Sequence, residues 1–204
     1  MPPELSLLMN LRSLRLSECK LSSLPASLLT LTELQSIDLS KNNFTTFFEN
    51  DGISPVDVQW LSLTYLNLNG NQLTKVPPLC RFMPNLKQLH LHMNKLTGVE
   101  ELCREGYQAL ETLDLGQNKI QQLPVALVFY LKNLCQLTLL NNDIQRLPHL
   151  LGRHKAIKNL QVDGNPLKTI RRPIIARGSA GVLEYLADKY VEGHDHKIEE
   201  WAEA

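Results

Sequence analysis

Residues 110–124 read LETLDLGQNKIQQLP, and close copies of this stretch run through the chain. Copies begin at Leu11, Leu34, Leu63, Leu86, Leu110, Leu134 and Ile157, at steps of 23, 29, 23, 24, 24 and 23 residues. No other feature constrains the fold as strongly. A unit of this length cannot bury its own apolar face, so the copies must stack and cover one another.

Within one copy, Leu113 and Leu115 alternate with Asp114, which is strand periodicity. The two leucines point into the stack and Asp114 points out. Asn118 then ends the strand with a side chain able to bond backbone groups in the turn. Its equivalents are Asn42, Asn71, Asn94, Asn142 and Asn165. Stacked, they are expected to form an asparagine ladder that satisfies buried turn amides, since unpaired buried polar groups are costly. Cys19 holds this position in the first copy and reads as a small, buried variant of the ladder. In the second half of the unit, Pro25, Leu28, Leu31 and Leu34 are spaced by threes, which predicts short helical or 3₁₀ turns on the opposite side. Pro2, Leu5, Leu8 and Leu11 repeat this spacing, so the chain opens in the closing half of a unit.

These patterns predict an α/β leucine-rich-repeat solenoid. It is right-handed, with a parallel sheet on the concave side, short convex turns and a helix as C-terminal cap. The solenoid is expected over 1–178, with seven strand-bearing repeats, a partial first turn at 1–10 and a long repeat at 42–70. The extra residues of the long repeat, at 48–54, contain Asp-Gly and Ser-Pro and read as a loop bulging away from the strands. After Ile170 the period stops. A helix over 179–190, with Val182, Leu183 and Leu186 on one side, covers the last repeat, while Arg171 and Arg172 solvate the link before it. A polar, acidic tail follows at 191–204 and carries Trp201.

Lys+Arg and Asp+Glu both number 21, so the formal charge is zero. That balance, with no basic stripe, argues against a nucleic-acid binder. No apolar run is long enough to span a membrane, and the first residues lack the basic start and apolar core of a signal peptide. The four cysteines, at 19, 80, 103 and 135, are scattered rather than grouped in end caps. They read as reduced thiols of a cytoplasmic protein, with the nucleus as a second compartment. Asn43-Phe44-Thr45 has the form of a glycosylation acceptor, yet it falls in the repeat turn, where asparagine is expected anyway.

Residues 160–186, LQVDGNPLKTIRRPIIARGSAGVLEYL, resemble the C-terminal end of the leucine-rich-repeat-containing protein 40 family. There too a last "GNP" repeat leads through an Arg-containing link and a Gly-Ser/Thr step into a "VLEYL"-like helix. The repeats with "LP" in the turn are similar to that family and equally to the Ras-group and Shoc2-type scaffolds. The chain departs from the family pattern in the long repeat after Asn42, in Cys19 and in the tail after Tyr190. The resemblance implies an intracellular protein that corresponds to the C-terminal part of longer chains. It implies neither a catalytic activity nor a cofactor, and it suggests a small GTPase or a signalling phosphatase as partner.

The outward strand positions offer one candidate site. Tyr65, Asn67, Asn69, Gln88, His90, His92 and Asp114 occupy the middle of the concave face, and Leu140 adds an apolar contact beyond them. His90 and His92 alternate on one strand, and Asp114 lies one strand from His90. A metallohydrolase would use these three as ligands, but the face is open and lacks walls to exclude water. No serine there has a histidine base, and no Gly-rich phosphate loop exists. The leading reading is therefore a non-catalytic adaptor or scaffold without metal or cofactor. A purely structural end of a longer solenoid is the second reading and a hydrolase the third.

Overall fold

The computed structural model describes residues 3–47 and 60–191. The predicted loop at 48–54 and the tail with Trp201 lie outside these residues. Seven three-residue strands form one sheet in chain order. They are β1 (Ser13–Arg15), β2 (Ser36–Asp38), β3 (Tyr65–Asn67), β4 (Gln88–His90), β5 (Thr112–Asp114), β6 (Gln136–Thr138) and β7 (Asn159–Gln161). Every neighbouring pair is parallel, and the register aligns Arg15, Asp38, Asn67, His90, Asp114, Thr138 and Gln161 in one row. The solenoid expected from the period is the observed fold.

Each strand turns its middle residue inward. Ile37, Leu66, Leu89, Leu113, Leu137 and Leu160 are buried there, as are Leu39, Leu68, Leu91, Leu115, Leu139 and Val162 two positions on. The chain then corners sharply. Glu18, Lys41, Met93, Gln117 and Asn141 all take positive φ, and Gly70 and Gly164 take the same corner in their repeats. A non-glycine residue pays for that left-handed corner, so something else must hold it. The backbone does: the N–H of Lys41, Gly70, Met93, Gln117 and Asn141 each donates to the repeat that follows.

The opposite side of the stack is closed by short turns. Ala26–Thr30, Pro78–Phe82, Glu100–Leu102 and His149–Arg153 are 3₁₀ helices, and α1 (Leu127–Tyr130) is a single α turn. Leu31, Trp60, Met83, Tyr107, Leu131 and His154 occupy equivalent places after these turns. Trp60 is fully buried and its Nε1–H donates to Leu28 O at 2.8 Å. His154 also reaches a carbonyl of the repeat before it, with Nε2 2.9 Å from Leu131 O, while its Nδ1 accepts from the amides of Ala156 and Ile157. Phe47 packs edge-on against Trp60.

The C-terminal cap consists of α2 (Arg172–Ile175) and α3 (Gly178–Lys189). Val182 and Leu186 of α3 are buried and Leu183 packs against the core. Gly152 lies so close under α3 that a Cβ there would run into the backbone of Leu183 and Ala187. Ser179 closes the sheet. Its hydroxyl accepts from the Leu160 amide at 3.0 Å and stands 3.0 Å from the Leu160 carbonyl, so one side chain occupies the place of an eighth strand. Arg171 and Arg172 are exposed, in keeping with a solvated link.

All four cysteines are free. Cys19, expected to be buried, is exposed. Its Sγ donates only to Ser17 O. The reason is local: a ladder side chain is buried by the strand of the repeat before it, and the 3₁₀ turn Pro3–Leu7 that precedes β1 supplies no strand. Cys80 is the fully buried thiol, and burial pushes its pKa up to about 12.

Candidate functional site

The asparagine ladder sets the platform on which the concave face rests. Asn118 Nδ2 donates to Leu91 O, Leu115 O and Gly116 O at 2.9, 3.0 and 3.1 Å, and its Oδ1 accepts from the Leu96 amide at 3.0 Å. Asn71, Asn94 and Asn142 repeat the pattern with both the preceding repeat and their own. Asn42 and Asn165 hold the two ends of the row. Asn42 Oδ1 also accepts from Cys19 N, so the first repeat is held by its neighbour's ladder residue rather than by one of its own. Every strand end is thereby anchored to the next, which fixes the spacing of the side chains above.

A second tier of polar bonds stiffens the face itself. Asp38 Oδ1 accepts from the Ser40 amide and hydroxyl, Asn67 Oδ1 from the Asn69 amide, and Asp114 Oδ1 from the Gly116 amide. Asn69 Oδ1 accepts from the His92 amide across the strand at 2.7 Å. Asn67 and Asn69 are thus partly spent on holding the backbone. Gln88 stands exposed at the start of β4, and Leu140 is half-buried beyond Gly116.

The two histidines have different surroundings. His90 leans on the ring of Tyr65, with centroids 5.3 Å apart and planes at 45°. Its Nε2 is buried without a hydrogen-bond partner. Burial lowers its pKa, opposed by the carboxylates of Asp114 and Asp38. Desolvation likewise raises the pKa of Tyr65, helped by the Asp38 charge. His92 is the imidazole that meets Asp114, with Nδ1 3.7 Å from Oδ1. The sequence reading paired His90 with Asp114 along the row, whereas the close contact is diagonal. Gly116 is the cause. A Cβ on it would stand 2.6 Å from His92 Nδ1, so only glycine leaves room for the ring to lie over towards Asp114.

Among the described residues, no group of three or more His, Cys, Asp or Glu is placed to hold a metal ion. Among them, too, no helix is long and apolar enough to cross a membrane. The face offers a ring pair, a carboxylate with one oxygen uncommitted, and amides and hydroxyls along the rows.

Stacked parallel strands, cornered in the left-handed region and tied by an asparagine ladder, define a leucine-rich-repeat protein, an architecture of protein-interaction modules. Family models agree. "Leucine Rich Repeat" matches 10–31, "Leucine Rich repeats (2 copies)" matches 61–104 and "Leucine rich repeat" matches 108–167, together more than half of the chain. The chain belongs to this family. It is 31% identical over 161 residues to the probable serine/threonine-protein kinase pats1 of Dictyostelium discoideum, covering 78% of this chain and 5% of that protein. It is 28% identical over 159 residues to the mouse leucine-rich repeat serine/threonine-protein kinase 1, covering 76% and 8%. The match therefore spans a small part of either relative. Among solved structures, a leucine-rich-repeat protein of Leptospira interrogans superposes with a TM-score of 0.65 at 30% identity, over 87% of this chain and 49% of that one. A chain of the Drosophila Toll–Spatzle complex superposes with a TM-score of 0.63 at 27% identity, over 74% and 20%.

Proposed function

We propose that this solenoid is a non-catalytic adaptor that binds a protein through the middle of its concave face. The contacts are assigned to Tyr65, Gln88, His90, His92, Asp114 and Leu140, with Asn67 and Asn69 holding the strand ends beneath them. The carrying observation is the Tyr65–His90 ring pair beside the His92–Asp114 pair. Tyr65 is the one Phe, Tyr or Trp of the three outward rows, and it sits with His90, His92 and Asp114 on central strands, where a ligand touches most repeats at once. Aromatic rings and desolvated charges are the usual centres of binding energy.

Seven repeats over 1–178, a cap over 179–190 and a separate tail at 191–204 form the working division of the chain under this reading. The resemblance of 160–186 to the leucine-rich-repeat-containing protein 40 family, and of the repeats to Ras-group and Shoc2-type scaffolds, supports an intracellular signalling role. A small GTPase or a signalling phosphatase is the partner class this favours, in the cytoplasm and secondarily the nucleus. Two matched relatives named as protein kinases support the same setting.

A second reading rests on Leu7, Leu8 and Met9, which are exposed beside β1. They fit a structural role in which this end stacks on further repeats.

The test is affinity capture with the wild-type chain, the double variant His90→Ala/Asp114→Ala and, as a control on the opposite side, Phe129→Ala. A partner kept by the control and lost by the double variant supports the concave site. A partner held equally by all three removes it, and circular dichroism checks that each variant folds.

A further inference from the structure

The chain carries no net charge, yet its sheet face does. From β2 to β7 the three outward rows contain Asp38, Asp114 and Asp163 and no lysine or arginine. Arg15 on β1 is the single cation, and it stands 3.8 Å from Asp38 Oδ2. Asp38 is therefore occupied, since its other oxygen takes both Ser40 bonds. Asp114 differs. Its Oδ1 holds the Gly116 amide and faces His92, and its Oδ2 has no partner among the described residues. His90 stands opposite Asp114 in register, with its ring braced by Tyr65.

Resting on the concave reading above, we infer that the partner segment presents an arginine to the centre of this face. One guanidinium N–H would donate to Asp114 Oδ2 while the planar group lies against the His90–Tyr65 rings. Three observations carry this. The face is acidic within a neutral chain, so its field favours a basic partner. The uncommitted carboxylate oxygen lies at the centre of the arc, not at its rim. The flat imidazole and phenol beside it suit a planar, weakly hydrated cation better than a compact ammonium. Burial of His90, which disfavours its charged form, keeps a competing cation out of the same place. Exposed Met93, whose amide donates to Gly116 O, and half-buried Leu140, which holds the place of Gly116 in the next repeat, offer apolar surface for the alkyl stem.

The experiment uses the full chain labelled with ¹⁵N, titrated with four capped pentapeptides that are alike in glycine and serine but carry arginine, lysine, citrulline or glutamate at the centre. The arginine peptide is expected to shift the amides of Leu89, Leu91, Asp114 and Gly116, and to bind more tightly than the lysine peptide. Citrulline, equal in shape but uncharged, should bind about tenfold more weakly, as should the arginine peptide to Asp114→Asn. Arginine shifts that persist unchanged in Asp114→Asn overturn the inference, as does the lack of any shift with the arginine peptide. If the glutamate peptide moves the same amides, the charge assignment falls while the concave site stands. If the peptides move only amides of the convex turns, the concave site falls as well.

Discussion

The two ends of the solenoid solve the same problem differently. At the C-terminal end, β7 leaves backbone groups and leucines with no repeat to cover them, and α3 supplies both needs. Val182 and Leu186 cover the apolar core, and the Ser179 hydroxyl serves the Leu160 amide and carbonyl. Tyr185 ties the link down by donating to Thr169 O at 2.7 Å. At the other end, the turn Pro3–Leu7 packs on its neighbour Ala26–Thr30 but brings no strand to β1. Leu7 is 74% exposed and Leu8 51%. Cys19 stands in solvent where an asparagine would need a strand in front of it. The difference shows that a solenoid end has two separate requirements, apolar cover and hydrogen-bond partners for the last strand. A helix meets the second only if it carries a polar side chain at the right place.

Deletion of cover should therefore cost much at one end and little at the other. Leu186→Ala is expected to destabilise by about 2–5 kcal/mol, like an interior Leu113→Ala, because each leaves a cavity. Leu8→Ala should change stability by less than about 0.5 kcal/mol. Urea denaturation of the three variants measures this, and equal losses at Leu8 and Leu186 would break the comparison.

The ladder offers the next largest contrast. Asn118→Ala strands buried groups in two repeats and should cost about 2–4 kcal/mol, at roughly 1–3 for each unsatisfied buried group after relaxation. Cys19→Ala should be close to neutral. A thermal shift for Cys19→Ala as large as that for Asn118→Ala would mean that the first repeat is tied as firmly as the rest.

Ser179→Ala isolates the hydrogen-bond requirement from the apolar one. A loss of about 1–2 kcal/mol is expected. Hydrogen exchange at the Leu160 amide should quicken while Leu113 keeps its protection. Unchanged exchange at Leu160 would show that the hydroxyl is not the closing group.

The smallest effect concerns pH and lies midway between the ends. The folded-state pKa of His90 lies below its ordinary 6.5 because of burial. The unfolded chain thus binds the proton more readily, and the His90 contribution is complete above about 6.5 and declines as pH falls from there towards the folded value. His90→Gln should flatten the melting temperature between pH 7 and 5. An equally steep fall in that variant would assign the dependence elsewhere.

Much of this architecture is legible in the sequence. The strands stand where Leu113 and its equivalents predict them, because a period of two within a period of 23 or 24 leaves one register in which every leucine is covered. The cap helix is also legible from Val182, Leu183 and Leu186. What escaped depends on contacts between repeats. Cys19 is exposed although its position in the period predicts burial, because a ladder residue is enclosed by its predecessor, not by its own unit. The diagonal His92–Asp114 contact follows from a missing Cβ at Gly116, which no row of side chains displays. The matching roles of Trp60 and His154 would have been visible by aligning the third residue before each repeat start, where two N–H-bearing rings replace leucine. The helix α2 is a single turn, too short to leave a period.

The ladder has one more consequence, for a molecule under load. Its asparagines bond only their own repeat and the one before, across 21 to 32 residues of chain. No bond of this row spans the stack, so tension applied at the two termini meets the joints one after another. Each repeat released would add about 80 Å of slack, at roughly 3.3–3.6 Å per residue. Pulled in this way, the protein extends as a ratchet of equal steps, with the long second repeat giving the one larger stride.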